Sequence, residues 1–303
     1  MLKLLYKLVT PWGKSNRIQI LKNRVIGRIA NWIYPIYCIM SHPSKPSELN
    51  DQPQIIVSLT SFPDRIDKVY LCLESILKQT HLADKVLLWL ADSQFKNKES
   101  LPSKLLSLEK YGLDIRFCED LRSYKKIVYT AQLFSKDIII TADDDVLYPE
   151  DWIEKLLDTF DKNPECVCCY RANEIVVDND YNVLPYKEWK PLADDIKGPS
   201  YYLLPTGVGG VLYPPLFFEN VDFNYEVVKE LCPTTDDLWL KAISLIKKKK
   251  VVKVKKYTKE WFTIMNSQEV SLMNLNVNGN LNDIAFSKLI DFFNIKFGEY
   301  KDE

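Results

Sequence analysis

Four short apolar runs, separated by helical patterns, organise the middle of the chain. We predict them as strands at Gln54–Thr60, Lys85–Ala91, Leu113–Cys118 and Asp137–Ala142. A helix with apolar residues three and four positions apart is predicted to begin at Asp64. Strands that recur at this spacing with helices between them are typical of βαβ units, whose parallel sheet is buried on both faces. The pattern therefore predicts an α/β fold with a mostly parallel sheet flanked by helices.

The first 40 residues show apolar positions at helical spacing. Met1–Ser47 contains eight Lys and Arg residues and no Asp or Glu. Such a basic amphipathic helix either packs on the body of the protein or lies in a membrane surface with its cations toward acidic headgroups. The apolar stretch Val25–Met40 is interrupted by Arg28 and Pro35, and it is shorter than the roughly 20 residues that a membrane span needs. We therefore predict a helical N-terminal extension that does not cross a membrane.

Composition and charge exclude some classes of protein. The chain has 303 residues, of which 47% are hydrophobic and 27% charged, the balance of an ordinary globular protein. Beyond the basic segment, 32 Lys and Arg residues face 41 Asp and Glu residues, which disfavours nucleic acid as a partner. Seven scattered cysteines are no disulfide framework, and they indicate a reducing compartment such as the cytoplasm.

The most informative segment is an acidic cluster after the fourth predicted strand. Asp143, Asp144 and Asp145 follow an apolar run directly, at the end of the strand where open α/β sheets bind ligands. In an extended backbone, Asp143 and Asp145 point the same way and Asp144 points opposite. Mg²⁺ is usually held by one or two carboxylates together with substrate phosphates. We therefore predict that Asp143 and Asp145 hold a nucleotide diphosphate through a metal ion.

An ordered set of segments accompanies this cluster. The segments are VSLTSFPDR (57–65), LLWLADSQF (87–95), LRSYKK (121–126), TADDDVLYPEDW (141–152), PTGVGGVLYPP (205–215) and PTTDDLWL (233–240). In this order they resemble the GT-A, family 2-like glycosyltransferases of bacterial surface polysaccharide (lipopolysaccharide or capsule) synthesis. The resemblance implies a GT-A (Rossmann-like) fold, a nucleotide-diphosphate-sugar donor, an oligosaccharide or lipid-linked saccharide acceptor, and Mg²⁺ or Mn²⁺ as cofactor.

The resemblance also implies roles for particular residues. The implied nucleotide-sugar site comprises Thr60, Ser61, Arg65, Asp92, Lys125, Lys126, Asp143 and Asp144. Thr60, Ser61 and Arg65 would lie by the nucleotide base with Asp92, and Lys125 or Lys126 would approach the diphosphate. Asp145 is the favoured metal ligand, with Asp143 as the second.

A second acidic pair, Asp236–Asp237, resembles the position that carries the general base in inverting members. Thr234 or Thr235 is predicted to cap the helix that begins there. The positive end of the helix dipole then favours an ionised carboxylate, as a base requires. A base fits inversion of the anomeric centre, and retention stays open.

The role of three glycines and the full set of metal ligands stay open. Gly207, Gly209 and Gly210 either line the acceptor pocket, as the resemblance implies, or form a strand bend. Many metal-dependent relatives add a late histidine, but the two histidines of this chain, His42 and His81, both precede the acidic cluster.

The alternatives to a glycosyltransferase are a nucleotidyltransferase, disfavoured because residues 57–65 contain no glycine, and an inactive nucleotide-sugar-binding module.

The domain division follows from these assignments. Three prolines between Ser41 and Pro53 predict a linker. We predict a basic N-terminal extension and linker at 1–48, a GT-A catalytic domain at 49–265, and a C-terminal loop and helix at 266–303 that closes the active site. The expected location is the cytoplasm, with the alternative of peripheral attachment to the cytoplasmic face of the inner membrane.

Overall fold

A twisted sheet of seven strands lies at the centre of the protein. The structure, a computed structural model, describes residues 1–9, 16–44, 53–193, 196, 198–255, 261–265, 267 and 280–302. Within these residues the strands are β1 (Ile55–Thr60), β2 (Lys85–Ala91), β3 (Leu113–Cys118), β4 (Ile138–Thr141), β5 (Val167–Cys169), β6 (Ala172–Glu174), β7 (Leu203–Pro205), β8 (Val211–Tyr213) and β9 (Val251–Lys253). Strands β6 and β7 form a separate antiparallel pair.

The strand order of the main sheet is β3-β2-β1-β4-β8-β5-β9. Strands β1 to β4 are parallel, with Val57 opposite Val86 on one side and Ile140 on the other. Strand β8 runs antiparallel between β4 and β5, and β9 is parallel to β5. The predicted mostly parallel α/β sheet is confirmed, and the fold is GT-A (Rossmann-like). Because the chain builds outward from β1 to β3 and then returns to place β4 beside β1, the crevice between β1 and β4 is the switch point where such sheets bind ligands.

Helices cover both faces of the sheet. They are α1 (Leu2–Lys7), α2 (Arg17–Met40), α3 (Pro63–Ile66), α4 (Val69–Leu77), α5 (Ser103–Leu106), α6 (Lys125–Phe134), α7 (Trp152–Lys162), α8 (Tyr225–Leu231), α9 (Asp236–Ile246) and α10 (Leu281–Phe293). Apolar residues of α1, α2, α4 and α7 form the core on one face. Those of α6, α8, α9 and α10 form the core on the other. Active-site residues that follow the strands are thus held between two packed layers.

Two helix predictions differ from the structure. The helix predicted from Asp64 is interrupted, because the short α3 ends at Ile66 and α4 begins at Val69. The extension predicted as helical over residues 1–40 contains two helices, α1 and α2, and residues 10–15 lie outside the described part. Most of the predicted linker and the predicted closing loop, at 45–52 and 268–279, also lie outside it.

The basic N-terminal extension packs on the body of the protein. Leu2 and Tyr6 of α1 are almost fully buried, and so are Ala30 and Tyr34 of α2. The Tyr6 hydroxyl donates to the Leu147 carbonyl at 2.7 Å. It also accepts from the Phe262 amide at 2.7 Å. Among the described residues, no helix is long and apolar enough to span a bilayer.

Candidate active site

The three aspartates after β4 lie at the switch point of the sheet. The Ser61 hydroxyl, at the end of β1, donates to Asp144 Oδ2 at 2.6 Å. Arg65 Nη1 lies 2.5 Å from Asp144 Oδ1 and 3.1 Å from Asp145 Oδ2. The expectation of an extended backbone is wrong here, because the chain turns at Asp144 and Asp145. The carboxylates of Asp144 and Asp145 therefore both contact Arg65, while that of Asp143 faces Lys126.

Backbone contacts fix this turn in place. The Asp143 amide donates to the Tyr148 hydroxyl at 2.9 Å, and the Ile264 amide donates to the Asp145 carbonyl at 2.7 Å. Tyr148 is fully buried. Although Tyr148 lies within the acidic segment, its role could not be recognised beforehand, because nothing in the sequence shows that its side chain returns to Asp143.

The second acidic pair lies beside the first. Lys126 Nζ is 3.3 Å from Asp143 Oδ1 and 3.2 Å from Asp236 Oδ2, so one buried ammonium group bridges the two pairs. The Gly207 amide donates to Asp237 Oδ2 at 3.1 Å. A Cβ atom at Gly207 would lie 3.3 Å from Asp143 Oδ1 and 3.5 Å from Asp237 Oδ1. The two clusters, far apart in sequence, therefore form one site around Lys126 and Gly207.

Both aspartates of the second pair lie in the first turn of α9, as predicted. Thr235 is the N-cap residue, but its side chain makes no capping bond and instead donates to Asn282 Oδ1 of α10 at 3.1 Å. The first turn carries the positive end of the helix dipole. Asp236 and Asp237 thus add negative charge where the helix favours it.

Burial and neighbouring charge shift the pKa values of the site. Burial, with the charge of Asp143, raises the pKa of Asp145 to about 7. Burial, with the charge of Asp236, raises the pKa of Asp237, and Lys126 opposes this shift. Burial disfavours the Lys126 ammonium, but the carboxylates of Asp236 and Asp143 raise its pKa well above the ordinary value. The site thus contains a permanently charged Lys126 and two carboxyl groups, those of Asp145 and Asp237, that hold their protons more tightly than usual.

The remaining predicted nucleotide-site residues lie farther from this centre. Thr60 Oγ1 donates to the Trp89 carbonyl at 2.8 Å, at the ends of β1 and β2. Asp92 is exposed just beyond β2. Lys125 Nζ lies 2.6 Å from Asp120 Oδ1. Of the two candidate lysines, Lys126 is therefore the one that contacts the acidic residues of the site.

A family match covers the part of the chain that builds most of this site. Residues 63–210 match the model described as Glycosyl transferase family 2. This stretch, just under half of the chain, is therefore similar to family 2 glycosyltransferases. The matched residues include Arg65, Lys126, the three aspartates after β4 and the glycine segment, and they end before Asp236. The expectation of a glycosyltransferase is confirmed.

The remaining comparisons of this chain with known proteins gave weaker similarities or none. No curated protein sequence matches. A mannosyltransferase from Pyrobaculum calidifontis, solved with GDP-Man and Mn²⁺, is 12% identical with a TM-score of 0.43. The likeness covers 84% of this chain and 66% of that one. CMP:2-keto-3-deoxy-manno-octonic acid synthetase with CTP is 16% identical with a TM-score of 0.38. This similarity covers 66% of this chain and 88% of the synthetase.

The three glycines of the glycosyltransferase differ in their surroundings. Gly209 and Gly210 have φ angles of +100° and +92°, where side chains are disfavoured. A Cβ atom at Gly209 would lie 2.8 Å from Trp261, and one at Gly210 would lie 2.5 Å from Trp152. Backbone conformation and indole packing thus account for these two glycines. At Gly207, by contrast, an added Cβ atom would lie against the carboxylates of Asp143 and Asp237.

A groove lies on the outer side of α10, whose Asn282 contacts the N-cap residue of α9. It has a volume of about 890 Å³ and lies between residues 180–189 and α10 with the segment after it. Its walls include Tyr181, Trp189, Asn282, Asp283, Phe286 and Phe297. The Asn282–Thr235 hydrogen bond connects this wall to the start of α9. Aromatic faces beside polar groups are a surface to which a sugar ring can bind.

The donor atoms at the switch point suit a hard cation. Asp143 and Asp145 offer carboxylate oxygens, which Mg²⁺ and Mn²⁺ prefer. In the described part of the chain, no group of three His, Cys, Asp or Glu side chains converges as a ready-made metal site. Asp143 faces Lys126 and Asp145 faces Arg65, so it is by their chemistry that the two carboxylates suit such a cation, whose remaining ligands would be water and substrate phosphates.

Proposed function

We propose that the protein transfers a sugar from a nucleotide-diphosphate-sugar to a hydroxyl group of a saccharide acceptor, with inversion at the anomeric carbon. The observation that carries the proposal is the meeting of two acidic pairs. Asp143 at the switch point and Asp237 at the start of α9 both lie beside Gly207. The proposed donor-binding carboxylate and the candidate base are thus both close to the backbone of one glycine.

Asp237 is the better candidate for the general base. The Asp236 carboxylate is buried and pairs with Lys126 at 3.2 Å, so its negative charge is already engaged. Asp237 is half-buried and accepts one hydrogen bond from the Gly207 amide. Its raised pKa increases its affinity for the proton of an acceptor hydroxyl, which is what the reaction asks of a base. Proton removal by Asp237 lets the acceptor oxygen attack the anomeric carbon as the diphosphate departs.

The donor side is proposed to lie over β1 and β4. Lys126 would face the diphosphate, and Asp143 and Asp145 would hold Mg²⁺ or Mn²⁺, since a divalent cation would compensate the burial and the charge of Asp143 that together raise the pKa of Asp145. When bound, the cation would neutralise negative charge on the departing diphosphate. Arg65 keeps Asp144 and Asp145 in their turned conformation through its contacts of 2.5 and 3.1 Å. Thr60, Ser61 and Asp92 remain proposed as neighbours of the nucleotide base.

The acceptor is proposed to bind across Gly207 and into the groove beside α10. Aromatic side chains and carboxyl or amide groups line that groove, and its wall contacts the N-cap residue of the helix that carries Asp237. On the resemblance of the sequence motifs, we propose that the product belongs to the bacterial surface polysaccharides, which are assembled at the cytoplasmic face of a membrane. That placement stays part of the proposal, as does the division into residues 1–48, 49–265 and 266–303.

The first experiment identifies the donor. The protein is incubated with UDP-, GDP-, dTDP- and CMP-sugars in the presence of Mn²⁺, and thermal stabilisation and release of free nucleotide are measured. We expect one nucleotide class to stabilise the fold and to release nucleoside diphosphate slowly without acceptor. Release of pyrophosphate from a nucleoside triphosphate with a sugar phosphate would indicate a nucleotidyltransferase instead. Binding without release, even when saccharide acceptors are added, would indicate an inactive binding module.

The second experiment separates the base from its neighbour. Asp237→Asn keeps the size of the side chain but removes the base, so kcat for transfer should fall by about 10²-fold or more with donor affinity unchanged. Asp236→Asn is the matched control, adjacent on the same helix turn, and should retain more of the turnover. The mechanism is wrong if Asp237→Asn transfers sugar at the wild-type rate.

A further inference from the structure

Helix α2 has one side inside the protein. Its buried residues are Asn23, Ile26, Ala30, Tyr34 and Cys38. They recur every three or four positions, so they form one stripe along the helix. The Asn31 side chain continues this attachment, because its Nδ2 donates to the Thr263 carbonyl and its Oδ1 accepts from the Met265 amide, both at 2.9 Å. The inner side of α2 is therefore fixed to the body of the protein.

The opposite side of α2 is apolar and exposed. The exposed large apolar residues on this side are Ile18, Leu21, Val25, Ile29, Trp32, Ile33, Ile36, Ile39 and Met40. At about 100° per residue, these nine side chains fall within an arc of about 120°, which also contains Lys22, while the exposed Ile20 lies outside it. Trp32 is 75% exposed and Ile39 74%. Single exposed apolar residues are ordinary, but a continuous stripe along a helix of 24 residues marks an interaction surface.

A row of cations borders the apolar stripe. Arg17, Arg24 and Arg28 are spaced by seven and four residues, so they share one side of the helix next to the stripe. All three are exposed, and within the described residues none of them forms a salt bridge. Helix α2 contains no Asp or Glu. The surface therefore combines an apolar strip with uncompensated positive charge.

We propose that the outer side of α2 binds an anionic lipid bilayer, with the helix lying in the plane of the membrane surface. An apolar strip bordered by Arg and Lys is the combination that inserts shallowly among acyl chains and attracts acidic headgroups. A second copy of the chain fits less well. A two-fold interface would bring two α2 helices together, and neither has an acidic residue to pair with the other's arginines.

A cleft beside the arginines supports a lipid occupant. It has a volume of about 210 Å³, and its walls include Arg24, Arg28, Asn31 and Thr263. Two arginines in the wall of a small cleft are suited to a headgroup phosphate. Thr263 also pairs with Val146 directly after the acidic cluster. The segment that lines this cleft thus also contacts the residue that follows the acidic cluster. This proximity suits an acceptor carried on a lipid, and only this link to an acceptor rests on the proposed function.

The experiment measures binding of the full chain to vesicles. The protein is sedimented with phosphatidylcholine vesicles that contain phosphatidylglycerol, and with vesicles of phosphatidylcholine alone. We expect binding to the anionic vesicles, weakened at least tenfold as salt is raised from about 0.05 M to 0.5 M. The Trp32 contribution to fluorescence, obtained as the difference from Trp32→Phe, should shift to shorter wavelength on binding. Equal binding to both kinds of vesicle, or to neither, overturns the proposal.

Variants locate the binding surface. The double variant Trp32→Glu/Ile36→Glu changes two exposed side chains of the stripe and should lose at least tenfold in vesicle affinity. Leu133→Glu/Phe292→Glu makes the same change at exposed apolar residues of α6 and α10 and should bind like the wild type. The triple variant Arg17→Gln/Arg24→Gln/Arg28→Gln should lose the preference for anionic lipid. Equal binding by the stripe double variant and its control overturns the assignment to α2.

Two further measurements distinguish a membrane surface from a dimer interface and from a defect in the active site. Sedimentation velocity without vesicles should show a monomer, and a dimer that Trp32→Glu dissociates would assign the stripe to a second copy instead. Release of nucleoside diphosphate in solution should be the same for wild type and all α2 variants. Loss of vesicle binding with unchanged release distinguishes failure at this surface from failure of the proposed chemistry.

Discussion

Lys126 and Lys241 are both buried in the same half of the protein, and their surroundings are opposite. Lys126 on α6 and Lys241 on α9 are 6% and 1% exposed. Lys126 lies between the carboxylates of Asp143 and Asp236. Lys241 Nζ has no hydrogen-bond partner among the described residues, and burial lowers the pKa of Lys241 to about 7. The carboxylates around Lys126 instead raise its pKa well above the ordinary value.

The comparison shows that the partners of a buried lysine, more than its burial, decide what it contributes. A buried ammonium group is costly unless carboxylates compensate it. Lys126 is compensated by residues of the active site, so it remains charged and holds the two acidic pairs together. Lys241 can avoid the cost by losing its proton, and its long side chain then serves mainly to fill space in the core.

The strongest test of this difference is Lys126→Met. The substitution leaves the buried carboxylates of the two acidic pairs without their shared cation, so the free energy of unfolding should fall by about 3–5 kcal/mol. Chemical denaturation measures the loss. Lys125→Met is the matched control, since Lys125 is also buried but pairs with the half-exposed Asp120, and it should cost clearly less. Equal losses for the two variants would show that Lys126 has no special role.

Lys241→Met should act in the opposite direction. Replacing an uncompensated buried amine by an apolar side chain of similar length should raise the free energy of unfolding by about 2 kcal/mol at pH 7. Because the folded pKa of Lys241 is lowered to about 7, the unfolded chain binds the additional proton between about pH 7 and 10.4, and wild-type stability should rise with pH in that window. In the variant this rise should be absent, so its advantage should shrink as pH increases. An advantage that does not depend on pH would contradict the lowered pKa.

Asp236→Asn tests the comparison further, because it removes one of the two carboxylates that compensate the charge of Lys126. Lys126 would keep Asp143 at 3.3 Å and an amide in place of the second carboxylate, so the expected loss is about 1 kcal/mol. Thermal unfolding at several salt concentrations measures it. The result should lie between wild type and Lys126→Met, and a loss as large as that of Lys126→Met would show that Asp143 does not compensate the lysine.

Much of the fold could be predicted from local patterns. The bounds of β2 and β3 agree with their apolar runs, β1 begins one residue later than predicted, and β4 is one residue shorter at each end. The acidic cluster could be placed at a strand end because a buried strand cannot continue into three carboxylates. The start of α9 at Asp236 agreed with the capping pattern. These features depend on neighbours in sequence, which is why the sequence reveals them.

Other features depend on contacts between distant residues. Lys125 and Lys126 are adjacent in sequence, and only the packing of α6 on the sheet turns one of them toward Asp120 and the other toward Asp143. The turn at Asp144 is held by Arg65, 79 residues away. The two interpretations of the N-terminal helix could not be separated, because the periodicity of α2 supports a core-facing side and an exposed apolar side at once.

The packing of the two left-handed glycines has a consequence for enzyme engineering. Gly209 and Gly210 sit against Trp261 and Trp152, and the Trp152 indole donates to the Gly209 carbonyl at 2.6 Å. A library that randomises the glycine segment to change acceptor preference would therefore lose most of its members at these two positions to misfolding. Diversity is better placed at Gly207, where a Cβ atom would meet the carboxylates of Asp143 and Asp237 rather than an indole ring.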